Sequence, residues 1–289
     1  MIFIENELLK VTINLKGAEL ISLFHKKNLL EYMWNGDPAF WGKYSPVLFP
    51  IIGELKGNGY LFENSFYKMG RHGFAREMIF FEEQRDAERV VFLLNSSAGT
   101  LKIFPFNFEF RIIYSIKNSK LNVSYTIHNN GKAAMYFSVG GHPAFALPLL
   151  PGSAYHDYYL EFENEETINK WLVSKQGLIE KESVSFLVAE KKIPLTKELF
   201  YKDAIVLKNL KSESVSLKSS VSQHGFKFDF TGFPYLGIWA AKNADFVCIE
   251  PWCGIADSAD SDQQLVKKEG INSLESSAVF SRTWSVELW

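Results

Sequence analysis

Alternation of apolar and polar residues is the dominant pattern along this chain. Residues 121–128 are the clearest case, with Leu121, Val123, Tyr125 and Ile127 at one parity and polar residues between them. Successive side chains on a β-strand point to opposite faces, so this two-residue period predicts a strand with one buried face. A second β-rich run covers residues 108–116, and the intervening segment 117–120 predicts a hairpin turn. A further turn is predicted at residues 129–131.

Further runs of the same character recur along the chain. Strands are predicted at residues 10–15, 89–94, 135–139, 158–162, 215–218, 226–230, 237–240, 246–250 and 283–288. Helical signals are few and fall at residues 97–103 and 196–200. Many short strands with little helix between them favour an all-β sandwich or barrel over a parallel α/β sheet.

No shift of composition marks a domain boundary within the 289 residues. All-β folds of more than 200 residues are often single domains, and we interpret residues 1–289 as one domain. Residues 150–200 are more polar and richer in lysine than the rest, and they predict a loop-rich middle section.

Composition and charge restrict the partners. Hydrophobic residues make up 47% of the chain, aromatic residues 15%, and the formal net charge is −2. Because no basic excess is present to neutralise phosphates, nucleic-acid binding is not expected. Aromatic side chains commonly hold the apolar faces of sugar rings. The expected partner is therefore a small molecule.

Cysteine content and apolar runs indicate the cellular setting. Cys248 and Cys253 are the only cysteines, too few for a disulfide scaffold or a closed structural zinc site. The first residues lack the features of a signal peptide, and no apolar run is long enough to span a membrane. A cytoplasmic location with no membrane partner is expected.

The first departure from the alternating pattern is residues 70–76, where His72 stands between Gly70 and Gly73 with Arg71 and Arg76 beside it. Glycines allow close approach of the backbone to a ligand or special backbone angles. The same pattern also fits a surface turn with an incidental histidine. The segment around His72 therefore fits either a ligand site or a surface turn.

The second departure is residues 138–145, where two glycines precede His142 and Pro143. A residue before proline is restricted to extended backbone, so His142 is expected to have a fixed orientation. Such a constraint would place an imidazole rigidly in a site. The alternative is a turn whose histidine faces water.

The third departure is residues 246–254, which contain Glu250 at the end of an apolar run. Phe246, Cys248 and Glu250 would share one strand face. A buried carboxyl group has a raised pKa, which suits it to proton transfer. We expect Pro251 to end the strand, Trp252 to supply a stacking surface and the cysteines to be small apolar fillers. A glutamate leaning into water is the alternative.

Other chemistries have weaker support. No catalytic metal is expected, because close metal-ligand spacing is missing among His72, His128, His142, His156 and His224. The serine-hydrolase elbow, the dinucleotide fingerprint and the phosphate-binding loop are all missing.

Taken together, these segments resemble the galactose mutarotase-like superfamily, in particular its LacX-type branch related to aldose 1-epimerases. The resembling segments follow one order along nearly the whole chain: 45–53 (SPVLFPIIG), 72–76 (HGFAR), 104–108 (FPFNF), 141–145 (GHPAF), 199–200 with 203–204, and 249–252 (IEPW).

The resemblance implies a large antiparallel β-sandwich with a sugar cleft and a 1-epimerase that needs no cofactor. By the same resemblance, Glu250 is the catalytic base, His142 the catalytic acid, and His72 a second histidine that contacts sugar oxygens. Arg76 and Asp203 match substrate-binding positions. In addition, Trp252 or Trp34 is expected to pack on the sugar. Glu54 departs from the branch, which often has a basic residue there.

Three alternatives accompany this interpretation. A hexose-6-phosphate mutarotase would use Arg71 and Arg76 to meet a phosphate. A carbohydrate-binding module would keep the aromatic cleft without turnover. A glycoside hydrolase is disfavoured, because it needs paired carboxylates and the sequence offers a histidine with a glutamate. The oligomeric state is not indicated by the sequence.

Overall fold

The computed structural model describes residues 1–289 and is built almost entirely of β-strands. The strands are β1 (Ile2–Glu5), β2 (Leu9–Asn14), β3 (Glu19–His25), β4 (Leu30–Glu31), β5 (Val47–Leu48), β6 (Gly59–Phe62), β7 (Ser65–Lys68), β8 (Phe81–Arg85), β9 (Arg89–Asn95), β10 (Phe108–Lys117), β11 (Lys120–Asn129), β12 (Met135–Phe137), β13 (Val139–Gly141), β14 (Ala144–Ala146), β15 (Tyr158–Val173), β16 (Ile179–Pro194), β17 (Ile205–Lys208), β18 (Ser214–Ser219), β19 (Phe226–Asp229), β20 (Tyr235–Trp239), β21 (Phe246–Cys253), β22 (Asn272–Leu274) and β23 (Val279–Leu288).

Helical structure is limited to short turns. The α-helix α1 (Ala98–Leu101) begins after Ser97, whose hydroxyl accepts a hydrogen bond from the Thr100 backbone N–H at 3.2 Å. Single 3₁₀ turns are at Lys56–Asn58, Ala75–Glu77, Tyr155–Asp157, Lys197–Phe200 and Leu265–Lys267. Both predicted helical segments therefore exist, one as α1 and one as a 3₁₀ turn.

A 15-stranded sheet dominates the molecule, and its strand pairs are antiparallel. Its main path runs β5-β13-β21-β20-β17-β15-β18-β19-β23-β11-β10-β9-β8. A four-stranded sheet, β1 to β4, accompanies it, and Tyr114 on β10 donates a hydrogen bond to the Ala18 carbonyl at its border. The predicted all-β class and antiparallel β-sandwich are confirmed.

The hairpin of β10 and β11 follows the prediction closely. Lys117 pairs with Lys120 across the turn, where Asn118 has a φ of 54°. The residues at alternate positions of β11 that were predicted to be buried are no more than 2% exposed: Leu121, Val123, Tyr125 and Ile127. They belong to a cluster of 69 buried residues reaching from Ile4 to Leu288, the main apolar core of the structure.

The prediction of a loop-rich middle section is wrong. Residues 158–173 and 179–194 form β15 and β16, two paired strands of 16 residues each. Much of their length is exposed on both faces, and their register shifts at several bulges. Their sequence therefore lacks the strict apolar alternation of a half-buried strand, which is why they resemble a loop.

The expectation that Pro251 ends its strand is also wrong, since β21 continues to Cys253. On one side of β21 the partner strand is interrupted between β13 and β14, and Pro251 lies opposite this interruption. The Ile249 N–H points to that side, where it donates to the Pro143 carbonyl. Since residue 251 faces the same side, its missing N–H removes no ladder hydrogen bond there.

Four neighbouring strands, β13, β21, β20 and β17, form the part of the large sheet that carries the site. All eight residues of β21 are buried.

The helical segments of the structure are too short to form a membrane-spanning helix.

Candidate active site

The register of β21 brings the predicted acid and base together. Gly140 pairs with Trp252 and Ala144 with Cys248, and the same register places His142 opposite Glu250. The His142 Nε2 and Glu250 Oε2 atoms are 3.3 Å apart. Two residues that are far apart in the sequence thus form one acid–base pair.

Burial controls the protonation of this pair. Glu250 is 2% exposed and His142 is 8% exposed. Burial raises the pKa of Glu250 well above its ordinary value; the nearby Trp252 indole N–H opposes this rise, and the Asp203 carboxylate adds to it. Burial lowers the pKa of His142 to about 3, and Arg76 and Arg71 add to this effect. These shifts favour a protonated glutamate beside a neutral imidazole.

His72 joins the pair from the turn between β7 and β8. Its backbone adopts a φ of 66° and its ring lies edge-on to the His142 ring, with centroids 5.7 Å apart. The Gly53 N–H donates to His72 Nδ1 at 3.0 Å, and the His72 N–H donates back to the Gly53 carbonyl. Because Nδ1 accepts, the neutral ring carries its proton on Nε2. Burial lowers the pKa of His72 well below its ordinary value, and repulsion from a protonated His142 and from Arg76 would act in the same direction.

Trp252 forms part of the cavity floor. Its ring lies over Gly237 on β20 and beside Gly140 on β13, and a Cβ atom at either glycine would collide with the indole. Its Nε1 atom is buried near the Glu250 carboxyl group, but the geometry there does not make a hydrogen bond. Trp252 thus offers an unused donor at a surface that glycine neighbours keep open.

The two predicted substrate-binding residues also reach the cavity. Arg76 donates from Nη2 to the Arg71 carbonyl at 2.8 Å, while its Nε atom is buried without a partner. Asp203 accepts a hydrogen bond from the Ala204 N–H at 2.7 Å and follows the 3₁₀ turn at Lys197–Phe200. All six predicted site residues line one cavity: His72, Arg76, His142, Asp203, Glu250 and Trp252.

This cavity has a volume of about 480 Å³, which is within the range of small-molecule sites. Four buried side-chain polar atoms in the protein have no partner, and three of them belong to cavity residues: Arg76, His142 and Trp252. Native proteins rarely leave such groups unpaired, so their concentration here indicates a polar ligand.

Trp34 does not line the cavity, so its expected role in stacking on a sugar has no support. It is 5% exposed, and its indole N–H donates to the Trp41 carbonyl at 2.9 Å. Trp41 and Trp239 line the cavity instead. Neither belongs to the three segments that the sequence singles out, so only the aromatic content of the chain pointed to them.

Positive charge gathers at the cavity. Besides Arg76, its lining includes Arg71, Lys202 and Lys242. Arg71 is paired with Glu54 at 2.7 Å. Glu54, the residue that departs from the resembling branch, therefore holds an arginine of the cavity wall instead of extending toward a ligand.

One group of side chains has the chemistry of a metal site. Ligand atoms of His142, Cys248 and Glu250 lie within 4.8 Å of one another. Cys248 is fully buried behind the acid–base pair and does not line the cavity. Both cysteines are free and buried, in agreement with a packing role. The expectation that no metal or cofactor takes part stays a prediction.

Fold and site together define an antiparallel β-sandwich with a buried histidine–glutamate pair in a small-molecule cavity. The sequence profile of the aldose 1-epimerase family matches residues 1–265. The chain belongs to this family.

Relatives of known sequence or structure agree with this assignment. Two LacX proteins of Lactococcus lactis subsp. lactis, the plasmid and chromosomal forms, are 34% and 33% identical over 274 residues, which cover 92% of this chain and 91% of each relative. A galactose mutarotase related enzyme from Lactobacillus acidophilus has a TM-score of 0.96 at 33% identity, with 100% of this chain and 97% of that chain covered. A galactose mutarotase-like protein from Lactobacillus casei has a TM-score of 0.94 at 32% identity, with both chains covered completely.

Proposed function

We propose that this protein is a mutarotase, an isomerase that interconverts the α and β anomers of an aldohexose by opening and closing the sugar ring. The observation that carries the proposal is the His142–Glu250 pair, whose facing atoms are 3.3 Å apart in the wall of a cavity of about 480 Å³. Ring opening requires one proton to leave the anomeric hydroxyl and one to reach the ring oxygen. A juxtaposed base and acid can make both transfers.

The proton content of the pair matches this reaction. A protonated glutamate beside a neutral histidine holds one proton, and so does a glutamate anion beside an imidazolium. Moving that proton from Glu250 to His142 gives the form that acts on the cyclic sugar. No proton has to come from solvent at this stage.

The proposed cycle then has two steps. Glu250 removes the proton of the anomeric hydroxyl while His142 donates its proton to the ring oxygen, and the bond between the anomeric carbon and the ring oxygen breaks. The product is an open-chain aldehyde. After rotation about the adjoining carbon–carbon bond, the former ring oxygen returns its proton to His142 and attacks the other face of the carbonyl. Glu250 gives its proton to the new anomeric hydroxyl, so acid and base are regenerated.

The remaining residues hold the sugar in this proposal. His72 presents a proton on Nε2, Arg76 and Trp252 present unpaired N–H groups, and Asp203 presents a carboxylate acceptor. Donors and acceptors of this kind match the hydroxyl groups of a sugar. Orienting the ring lets proton transfer occur from a fixed geometry.

A hexose-6-phosphate mutarotase is the second candidate, and the positive charge of the cavity favours it. Lys202 and Lys242 supply cations beyond those that a neutral sugar needs, and Arg71 adds a third whose charge is partly balanced by Glu54. A carbohydrate-binding module without turnover is less well supported. Such a module gains nothing from a buried carboxyl group and imidazole whose pKa values are shifted in opposite directions.

Exchange NMR or polarimetry with freshly dissolved α-anomers tests the proposal. Galactose, glucose and glucose 6-phosphate would be compared with wild type, Glu250→Gln and His142→Asn, with Glu275→Gln as an exposed control. Acceleration by wild type and the control, with loss in both site variants, is the expected result. Tight binding of a sugar without acceleration would contradict the proposal and favour the binding module.

A further inference from the structure

Aromatic rings enclose His142 on three sides. The Trp41 ring is stacked on the imidazole, with centroids 4.9 Å apart and planes inclined by 27°. Trp239 and His72 approach edge-on, at 5.6 Å and 5.7 Å and each at 84°. Of these rings, only Trp41 presents its face to the imidazole plane.

Apart from the Glu250 carboxylate, the neighbours of His142 give it little help in becoming a cation. The Nδ1 atom is buried without a hydrogen-bond partner. The charged and titratable groups around it are Glu250 and Cys248 on β21, Arg71, His72 and Arg76 on the turn after β7, and Asp203. Arg71 and Arg76 oppose a second positive charge, and burial disfavours any charge at all. In the reactive form of the pair, the Glu250 carboxylate at 3.3 Å favours the imidazolium.

The indole face supplies negative potential where the imidazolium needs it. An aromatic ring has a negative face, and a cation over that face is attracted more strongly when water is excluded. His142 is 8% exposed, so little water reaches its ring. Stacking therefore favours the protonated imidazole over the neutral one.

Trp41 is itself held firmly in this position. Its backbone N–H donates to the Asp37 carbonyl at 2.9 Å, and its carbonyl accepts from the Trp34 indole at 2.9 Å. Phe246 and Trp239 pack on its ring with centroids 5.6 Å away. Such a network fixes the ring plane against His142 instead of leaving it free to turn toward a ligand.

We propose that Trp41 is a positioning residue that stabilises the protonated form of His142 through its stacked indole face. The catalytic consequence rests on the proposed mutarotase function, whereas the effect on the imidazole does not. A cation–π contact of this kind changes an equilibrium by about 2- to 30-fold. Loss of the contact is expected to lower kcat by a similar factor and to leave KM nearly unchanged.

Trp41→Phe and Trp41→Leu separate this role from packing. Phenylalanine keeps a ring face of weaker quadrupole, whereas leucine fills apolar volume without one. The expected order of kcat is wild type, then Phe, then Leu, with thermal stability monitored for each variant. Trp289→Phe changes a partly exposed tryptophan remote from the cavity lining and serves as the control. A fall in kcat that is equal for Phe and Leu, or a change confined to KM, would overturn the proposal.

A second measurement does not depend on turnover. Nitrogen-15 NMR of labelled histidine, with His142→Asn for assignment, follows imidazole protonation as the pH falls. The onset of His142 protonation should move to lower pH in Trp41→Phe and further in Trp41→Leu. An onset that is unchanged, or that moves to higher pH in the leucine variant, would refute the role of the indole face. If no sugar is turned over but the onset shifts as expected, the mutarotase proposal fails while this inference stands.

Discussion

Two buried acid–base pairs lie on the same side of the molecule and differ in how well they are satisfied. In the first, His142 and Glu250 face each other at 3.3 Å, and His142 Nδ1 has no partner. In the second, Lys268 Nζ lies 2.7 Å from Asp257 Oδ1, and both side chains are 3% exposed. The Lys56 N–H donates to the other carboxylate oxygen of Asp257.

The Asp257–Lys268 pair is connected to the cavity wall through the backbone of Asp257. The Asp257 N–H donates to the Glu54 carbonyl, and its own carbonyl accepts from the Ile179 N–H. Gly53, next to Glu54, fixes the His72 ring. A pair in which each polar side-chain atom has at least one partner is a structural feature, whereas a pair with an unpaired buried atom in the wall of a cavity is suited to reaction. The comparison predicts that the two pairs respond to substitution in opposite ways.

The largest expected effect is on turnover when the His142–Glu250 pair is broken. Glu250→Gln and His142→Asn should each lower kcat by about 10²–10⁴-fold, because positioned acid–base groups contribute that much. The double variant should be little worse than the worse single variant, since two groups that pass one proton act as a unit. Anomer exchange NMR measures all three rates. Losses that multiply in the double variant would show that the residues act independently.

The next effect is on stability when the Asp257–Lys268 pair is broken. Lys268→Met leaves the buried carboxylate without its cation and should lower the free energy of unfolding by about 3–5 kcal/mol. Urea unfolding measures this change. Lys181→Met is the matched control, because it breaks an exposed pair with Asp260 and should have little effect. Equal effects of the two substitutions would contradict a structural role for the buried pair.

The sequence predicts the chemistry of the first pair better than its setting. His142 and Glu250 each lie in a segment that interrupts the alternating pattern, so each was visible as a candidate. Their pairing depends on the register of β13, β14 and β21, which no local pattern specifies. Trp41 comes from an irregular loop, and its contact with His142 exists only after folding.

The reliance of sequence prediction on local patterns also explains which parts of the fold were predicted correctly and which were not. The hairpin of β10 and β11 packs one face on the core, so its alternation is strict and its turn was predicted correctly. The exposed lengths of β15 and β16 bury little, and backbone pairing alone leaves no apolar period in the sequence.

A smaller effect concerns the pH dependence of stability. The pKa of Glu250 is raised above 4.5 in the folded protein, so the folded state holds the proton where the unfolded state has lost it. The stabilisation that Glu250 provides is fully present below pH 4.5, and it is lost as the pH rises toward the raised pKa. Glu250→Gln removes this loss. Its melting temperature relative to wild type should therefore increase between about pH 5 and pH 8.

Differential scanning calorimetry of both proteins across this range provides the measurement. The lowered pKa of His142 acts in the opposite direction, because its contribution is lost as the pH falls below 6.5 toward about 3. Glu275→Gln, which removes an exposed carboxylate, serves as the control for charge. A difference between Glu250→Gln and wild type that stays constant or shrinks with rising pH would show that Glu250 is ionised in the folded protein across this range.

The smallest expected effect concerns the cations at the cavity. Lys202 is exposed, so Lys202→Ala should raise the KM for a hexose 6-phosphate by about two- to fivefold at low salt, and the effect should fade as salt is added. The KM for a neutral hexose should stay within about twofold. Initial rates at several salt concentrations give both values. Equal changes for the two sugars would argue against a phosphate contact at Lys202.

We propose that the His142–Glu250 pair takes part in the reaction, whereas the Asp257–Lys268 pair stabilises the fold. Anomer exchange NMR of Glu250→Gln beside Asp257→Asn, with each rate divided by the folded fraction, tests it most directly. The account predicts a loss of about 10²-fold or more for Glu250→Gln. It predicts a rate within about tenfold of wild type for folded Asp257→Asn, which keeps an oxygen for the Lys56 N–H. A folded Asp257→Asn as slow as Glu250→Gln, or a Glu250→Gln as fast as wild type, would contradict it.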